Sequence, residues 1–288
     1  MAGRGYGRVV RWHRVDLALT TEDEGLAEEQ ARALFAGGAV AVERVGPVLV
    51  GHFLDGAVAL AAAAWFTARG GRAVSAPIAR PDWAAAWLAG HRPFVISARL
   101  SVAPAFVAAA ETAIVLRIDP GLAFGTAAHP TTFLCLETLD GLLAGRASPG
   151  LADGPALLDV GCGTGILAIA ALRLGCASAT GTDVDPHALR AARRHARANG
   201  ITDERLELTG DAADSRGTFP LVVANLPPPV LDALCGAICR AVPAGGTLVL
   251  SGFFAEAADA VERPYAGQGL RRRALRARRE WGLLVLLR

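Results

Sequence analysis

The stretch most able to do chemistry runs from Leu157 to Gly165 and reads L-L-D-V-G-C-G-T-G. Two apolar residues lead into Asp159, glycines stand at 161, 163 and 165, and an apolar run from Ile166 to Leu174 follows. The pattern predicts a buried strand, a turn too tight for side chains and a helix that starts at once. Glycine is needed where φ turns positive and where a ligand approaches bare backbone. Ser178 to Val184 reads as a second short strand carrying Asp183, 22 positions after Gly161. A carboxylate there is placed to meet the two hydroxyls of a ribose. Gly210-Asp211-Ala212 ends a further strand, Arg205–Thr209, where an adenine edge could be bound.

The glycine spacing departs from the dinucleotide form G-x-G-x-x-G/A. Counted from Gly161, the third small residue is missing, because Ile166 stands there; counted from Gly163, Gly165 and Ala168 fit but Gly161 is unexplained. An acidic residue followed by this glycine pattern resembles the first motif of S-adenosylmethionine-dependent methyltransferases. Such a cofactor has no pyrophosphate and needs room for an amino-acid tail rather than a phosphate cradle. Asp159, Gly161, Gly163, Gly165, Asp183, Asp211 and Ala212 are therefore the candidate cofactor-binding residues.

Two other segments must lie near them. Asp119 to Thr132, D-P-G-L-A-F-G-T-A-A-H-P-T-T, is a small-residue loop broken by prolines, ahead of a helix at Thr131–Leu143. Loops of this length are seldom purely structural. Thr131 and Thr132 open the helix, where hydroxyls and free N–H groups are expected to point outward. His129 reads either as an anchor for the loop or as a substrate-binding group. The apolar strand Phe219–Ala224 ends at Asn225, followed by L-P-P-P and a helix at 230–242.

The elements around these segments define the architecture. Residues 14–79 read strand, helix, two strands, helix, strand: the β-α-β-β-α-β order of a small ferredoxin-like α+β domain. Asp82 to Trp87 reads as a short helix with two tryptophans on one face, either packed at a domain junction or forming an aromatic wall. From residue 93 onward strands and helices alternate and the strands are apolar, which predicts a parallel sheet covered on both faces. After the strand Thr247–Leu250 and a helix at 256–267, a closing hairpin at roughly 271–280 and 282–287 adds an antiparallel strand. Its arginines at 271, 272, 273, 276, 278 and 279 read as protection for an exposed edge, with an RNA-facing patch as the alternative.

Composition narrows the class. A chain of 288 residues, 52% hydrophobic, can bury a large core or two, and a net charge of +2 is too small to argue for nucleic acid. All 29 basic residues are arginine. The five cysteines form no C-x-x-C pair, so neither a disulfide framework nor a metal site is expected. The opening residues have no apolar core of a signal peptide, and the longest apolar run, Ala57 to Phe66, is too short to span a bilayer. The expectation is a cytoplasmic monomer that engages neither membrane nor metal.

Taken together, the motifs resemble the ribosomal protein L11 methyltransferases over almost the whole chain. The most specific is D-P-G-L-A-F-G-T-A-A-H-P-T-T, then D-V-G-C-G-T-G-I-L-A-I-A-A-L-R-L-G, G-T-D-V-D-P, V-V-A-N, D-W-x-x-x-W, and the S-G with a late E-W. The resemblance implies a substrate-recognition domain at 1–80, a linker at 81–92 and a seven-strand Rossmann-like methyltransferase domain at 93–288. By matched position, Thr132, Gly161, Asp183 and Asn225 would contact S-adenosylmethionine. The implied reaction is methylation of amino groups, lysine or N-terminal, of ribosomal protein L11, with Asn225, His129 and Phe124 positioning the nucleophile. Two departures stand out: Ala127-Ala128 in the loop, and L-P-P-P after Asn225. The second is similar to the (N/D)-P-P-(Y/F) motif of enzymes that methylate planar nitrogens, with Pro229 in place of the aromatic residue. Alternatives are therefore a glutamine amide or adenine nitrogen, a small amine, or a non-catalytic cofactor-binding or RNA-associated protein.

Overall fold

The computed structural model describes residues 12–19, 24–78, 92–104, 107–119, 129–144, 154–210 and 217–288. The chain divides into two compact units. The smaller comprises Met1–Arg92 with Pro104–Ala108 and Asp119–Leu122; the larger comprises the remainder.

In the smaller unit β1 (His13–Ala18), α1 (Glu24–Ala36), β2 (Ala41–Val45), β3 (Val48–Phe53), α2 (Gly56–Thr67) and β4 (Arg72–Pro77) follow in order. The strands form one antiparallel sheet in the order β2-β3-β1-β4, the arrangement of the ferredoxin-like pattern read from the sequence. Alternation along β1 sends Val15 and Leu17 inward, onto a core with Leu34, Phe53 and Phe66. Asp55 starts α2 by accepting the N–H groups of Ala57 and Val58. The paired tryptophans at 83 and 87, and the linker helix expected around them, lie outside the described residues.

The larger unit opens with a three-stranded sheet, β5 (Phe94–Val95), β6 (Leu100–Ala103) and β7 (Ile114–Arg117), in which β6 and β7 run parallel. Then come α3 (Pro130–Leu142), β8 (Ala156–Val160), α4 (Ile166–Leu174), β9 (Ser178–Thr182), α5 (Pro186–Ala198) and β10 (Leu206–Thr209). The second half adds β11 (Leu221–Asn225), α6 (Pro228–Ala241), β12 (Thr247–Phe254), α7 (Ala258–Gly267), β13 (Arg271–Arg278) and β14 (Trp281–Leu287). Seven strands make the sheet β10-β9-β8-β11-β12-β14-β13, and β14 is antiparallel to both neighbours.

Alternate residues of each central strand feed two cores. Val223, Leu283 and Val285 join α3 and α4 on one face; Val222, Leu284 and Leu286 join α6 and α7 on the other. Each such leucine contributes about 2 kcal/mol by leaving water. That two-sided burial is why these strands read as unbroken apolar runs. The chain moves outward from β8 to β10, then returns to β11 on the other side. This reversal makes a topological switch point at the carboxyl ends of β8 and β11, where open α/β sheets bind ligands.

Most element boundaries lie within a few residues of the sequence reading, and two of the differences bear on the site. Helix α6 starts at Pro228 rather than 230, with Pro227 as its cap, because prolines in a first helical turn forfeit no hydrogen bond. Strand β12 continues past Leu250 to Phe254, through a bulge between Ser251 and Phe253 that re-aims its end. The arginines of β13 lie on an edge strand, as expected. Arg272 pairs with Asp259 and Glu262 of α7, Arg276 with Glu137 of α3, and the Arg278 guanidinium stacks over Phe133. These contacts tie the edge to the helices on both faces.

Tyr265, fully buried in α7, donates its hydroxyl to the Leu231 carbonyl of α6 at 2.8 Å. Tyr265→Phe is expected to lower stability by about 1 kcal/mol in urea titration, with an unchanged m value.

Candidate functional site

The carboxyl ends of β8, β9 and β11 bring most of the sequence-derived candidates onto one rim. Asp159 is 1% exposed near the end of β8. Its Oδ2 accepts the Ala168 N–H at 3.1 Å, one of the free donors at the start of α4. Its Oδ1 is buried without a hydrogen-bond partner. Burial pushes this carboxyl up to about 7; the Ala168 N–H pulls it down, and the charge of Asp183 pushes it up further.

Asp183 follows β9 and uses both oxygens to tie two turns together. Oδ2 accepts the Gly163 N–H at 2.8 Å, and Oδ1 accepts the Asp185 N–H at 2.9 Å. Each oxygen keeps a lone pair for a further donor such as a ribose hydroxyl. Gly161, Gly163 and Gly165 all have positive φ, so the tight turn expected from the sequence is present. At Gly161 the close neighbour is the protein itself: an added Cβ would collide with the Leu226 side chain.

Asn225 ends β11 and is 8% exposed. Its Nδ2 donates to Thr132 Oγ1 at 3.4 Å, while Oδ1 is buried without a partner. The next residue, Leu226, is fixed on two sides. Its side chain covers Gly161, and its backbone lies against Gly252, which sits in the β12 bulge with φ +97°. A Cβ at 252 would overlap the Leu226 carbonyl, so only glycine suits that position. The Leu226 N–H also donates to the Ser251 carbonyl at 3.0 Å.

Helix α3 brings the third side of the rim. Thr131 and Thr132 are buried, at 0% and 1% exposure, so the expectation that they point outward is corrected: their hydroxyls serve other residues. His129 caps the helix, its Nδ1 contacting Thr131 Oγ1 at 2.7 Å and the Thr131 N–H at 3.4 Å. Accepting from that N–H requires a bare Nδ1 and so places the proton of a neutral ring on Nε2. His129 thus caps α3, while the loop it was expected to anchor lies outside the described residues. Its ring also meets Trp281 edge-on at 4.8 Å, and Trp281 meets Phe254 at 4.7 Å. This aromatic row, at the end of β12 and the start of β14, was not identified as part of a site from the sequence; the late E-W pair was its signal. Phe124, Asp211, Ala212 and the Ala127-Ala128 departure lie outside the described residues.

All five cysteines are buried thiols, and no cluster of three or more metal-ligating side chains occurs among the described residues. Cys235 and Cys239 place their sulfurs 3.9 Å apart on α6, as their spacing implies. No helix among the described residues is long and apolar enough to cross a membrane.

Comparison with known proteins identifies a family. The profile of the family described as Ribosomal protein L11 methyltransferase (PrmA) matches residues 54–288. A ribosomal protein L11 methyltransferase of Ectopseudomonas mendocina is 46% identical over 187 residues, covering 65% of this chain and 61% of that protein. One from Pelobacter propionicus is 37% identical over 219 residues, covering 75% of this chain and 70% of its own length. Against the first relatives the chain thus spans about six tenths of their length. A crystal structure of a ribosomal protein L11 methylase from Lactobacillus delbrueckii subsp. bulgaricus superposes with a TM-score of 0.58 at 28% identity, covering 69% of this chain and 99% of that one. With the seven-strand sheet, the glycine turn and a family match over most of its length, the chain belongs to the ribosomal protein L11 methyltransferase family of class I S-adenosylmethionine-dependent methyltransferases.

Proposed function

We propose that this chain methylates amino groups of ribosomal protein L11, at lysine side chains or the N-terminus, using S-adenosylmethionine. The observation that carries this reading is a pair of buried acceptors on one rim, Asp159 Oδ1 and Asn225 Oδ1, each without a partner. Burying such atoms bare is costly, and the cost is relieved when a ligand supplies donors. S-adenosylmethionine carries an ammonium group and ribose hydroxyls, so these residues fit it. Asp159, Asp183 and the turn at Gly161–Gly165 would hold the cofactor, with Thr132 beside Asn225.

When bound, the cofactor supplies a methyl group on a sulfonium, which an uncharged nitrogen can take directly. The protein's contribution is orientation, worth several kcal/mol, about 7–11 at best. Asn225 Oδ1 would accept an N–H of the entering amine and set the direction of its lone pair. The rings of His129, Trp281 and Phe254 would exclude water and offer π faces to an ammonium. A lysine amine in water holds its proton up to a pKa of about 10.4 and must lose it first; partial burial lowers that value. The L-P-P-P segment supports the amine over a planar nitrogen: Pro228 and Pro229 form the exposed first turn of α6, and no aromatic stands at 226–229 to stack a planar group.

Recognition of the protein substrate is assigned to residues 1–80, since a small amine needs no docking module; 81–92 links this domain to the catalytic domain at 93–288. A ribosomal substrate places the reaction in the cytoplasm. Incubation with S-adenosylmethionine and recombinant ribosomal protein L11, followed by mass spectrometry, should show more than one methyl per chain. The rate should rise from about pH 7 to pH 9, toward the pKa of the amine. A flat profile with only monomethylated product would indicate a planar nitrogen, and no transfer would contradict the reading outright.

Asp159 gives a second test. Its folded-state pKa of about 7 lies above the 3.8 of an aspartate in water, so the folded state holds a proton that the unfolded state releases. The contribution is fully present below the unfolded pKa and is lost as pH rises toward 7. Asp159→Asn should therefore raise the melting temperature of the cofactor-free protein at pH 8, with little effect at pH 4. It should also weaken S-adenosylmethionine binding in calorimetry.

A further inference from the structure

We propose that His195 is a positioning residue for cofactor binding: through the Thr164 carbonyl it fixes the shape of the glycine turn. The inference rests on the methyltransferase reading above. Helix α5 buries Ala188, Ala191, Ala192, His195 and Ala196, a helical stripe of alanines with one imidazole in it. Small side chains let the helix approach closely, and Ala192 packs directly against Gly165 of the turn. His195 is 6% exposed, and an imidazole buried in such a stripe is costly unless it is hydrogen-bonded.

Its Nδ1 lies 3.0 Å from the Thr164 carbonyl oxygen. That carbonyl sits one residue before Gly165, the cap of α4, whose own carbonyl takes the first helical N–H, from Ile169. Thr164, 1% exposed, is therefore outside the helical ladder, and its carbonyl needs a donor from elsewhere. A carbonyl can only accept, so Nδ1 must carry a proton. On the preceding residue, the Gly163 N–H donates to Asp183 at 2.8 Å. The turn is thus held from two directions, by Asp183 and by His195.

The last turn of α5 is anchored in its own right. Asn199 accepts the Arg117 N–H at 2.8 Å and donates to the Arg117 carbonyl at 2.9 Å, so its amide mimics a neighbouring strand for β7. The other Nδ2 hydrogen goes to the His195 carbonyl at 2.7 Å. Both Nδ2 hydrogens and the oxygen of that amide are engaged, which fixes its orientation. Helix α5 therefore connects the glycine turn to β7, the strand that leads in sequence to the proline-punctuated stretch at 119–132.

Two measurements test the proposal. In the first, His195→Leu removes the donor, whereas His195→Asn replaces it with an amide N–H near the Nδ1 position. The Leu variant should bind S-adenosylmethionine about tenfold more weakly and raise its KM equally, because the turn loses its hydrogen bond to α5. Its kcat at saturating cofactor should stay within about twofold, since the nucleophile side is untouched. The Asn variant should recover native affinity. Native affinity in the Leu variant, equal loss in the Asn variant, or a fall in kcat without a change in KM would overturn the assignment. In the second, nitrogen NMR of the native protein needs no variant to fold: a protonated His195 Nδ1 is expected, and a bare Nδ1 overturns the proposal. Failure of the native protein to bind S-adenosylmethionine would instead overturn the methyltransferase reading.

Discussion

Leu226 is held between two glycines, and the geometry of the rim depends on that contact. Its side chain lies on Gly161, the first glycine after β8, and its backbone lies on Gly252, in the bulge of β12. Asn225 is the residue before it. With Leu226 held on both sides, the Asn225 amide has little freedom, and its bond to Thr132 settles which end faces α3. Neighbouring strands thus meet at one dipeptide: β8 through Gly161, β11 through Asn225 itself and β12 through Gly252. A positive φ at 252 would be strained for any residue with a side chain, and here there is also no room for one.

The polar groups of the rim are held by structure that gains nothing from them directly. Two apolar layers bury the central strands, and Asp159 enters that environment as a carboxyl with one oxygen bare. The folded protein tolerates this because the strands around it bury many leucines and valines, each worth about 1.5–3 kcal/mol. A group destabilised before its ligand arrives binds that ligand with more selectivity, and functional sites commonly give up stability in this way. Asp159 and Asn225 each keep a bare buried acceptor, and the backbone beside Asn225 is fixed by Leu226.

Much of this was legible in the chain. The glycine turn follows from L-L-D-V-G-C-G-T-G, the ferredoxin-like unit from its strand and helix order, and the protected edge from the arginines of 271–279, because local patterns carry each of them. What was not legible depends on contacts distant in sequence. Gly252 looks like an ordinary strand glycine until β12 is placed beside Leu226. The hydroxyl of Thr132 turns inward because Asn225, some ninety residues later, lies beside it, whereas that of Thr131 meets the neighbouring His129. His195 had a signal, an imidazole at an apolar position of an alanine stripe, but its carbonyl partner lies on another element. The start of α6 shifted because three consecutive prolines read as a break, whereas two of them fit a first helical turn.

The role of the Leu226 contact is tested most directly by Gly252→Ala, assayed for methyl transfer to ribosomal protein L11 at saturating S-adenosylmethionine. An added Cβ must displace the Leu226 carbonyl, and Asn225 with it. A shift of that size is expected to lower kcat by about a hundredfold, because misplacing a positioned group by about 1 Å costs on that order. A Gly252→Ala protein that methylates at the native rate would show that Asn225 is not held in place by Leu226, and would contradict this account.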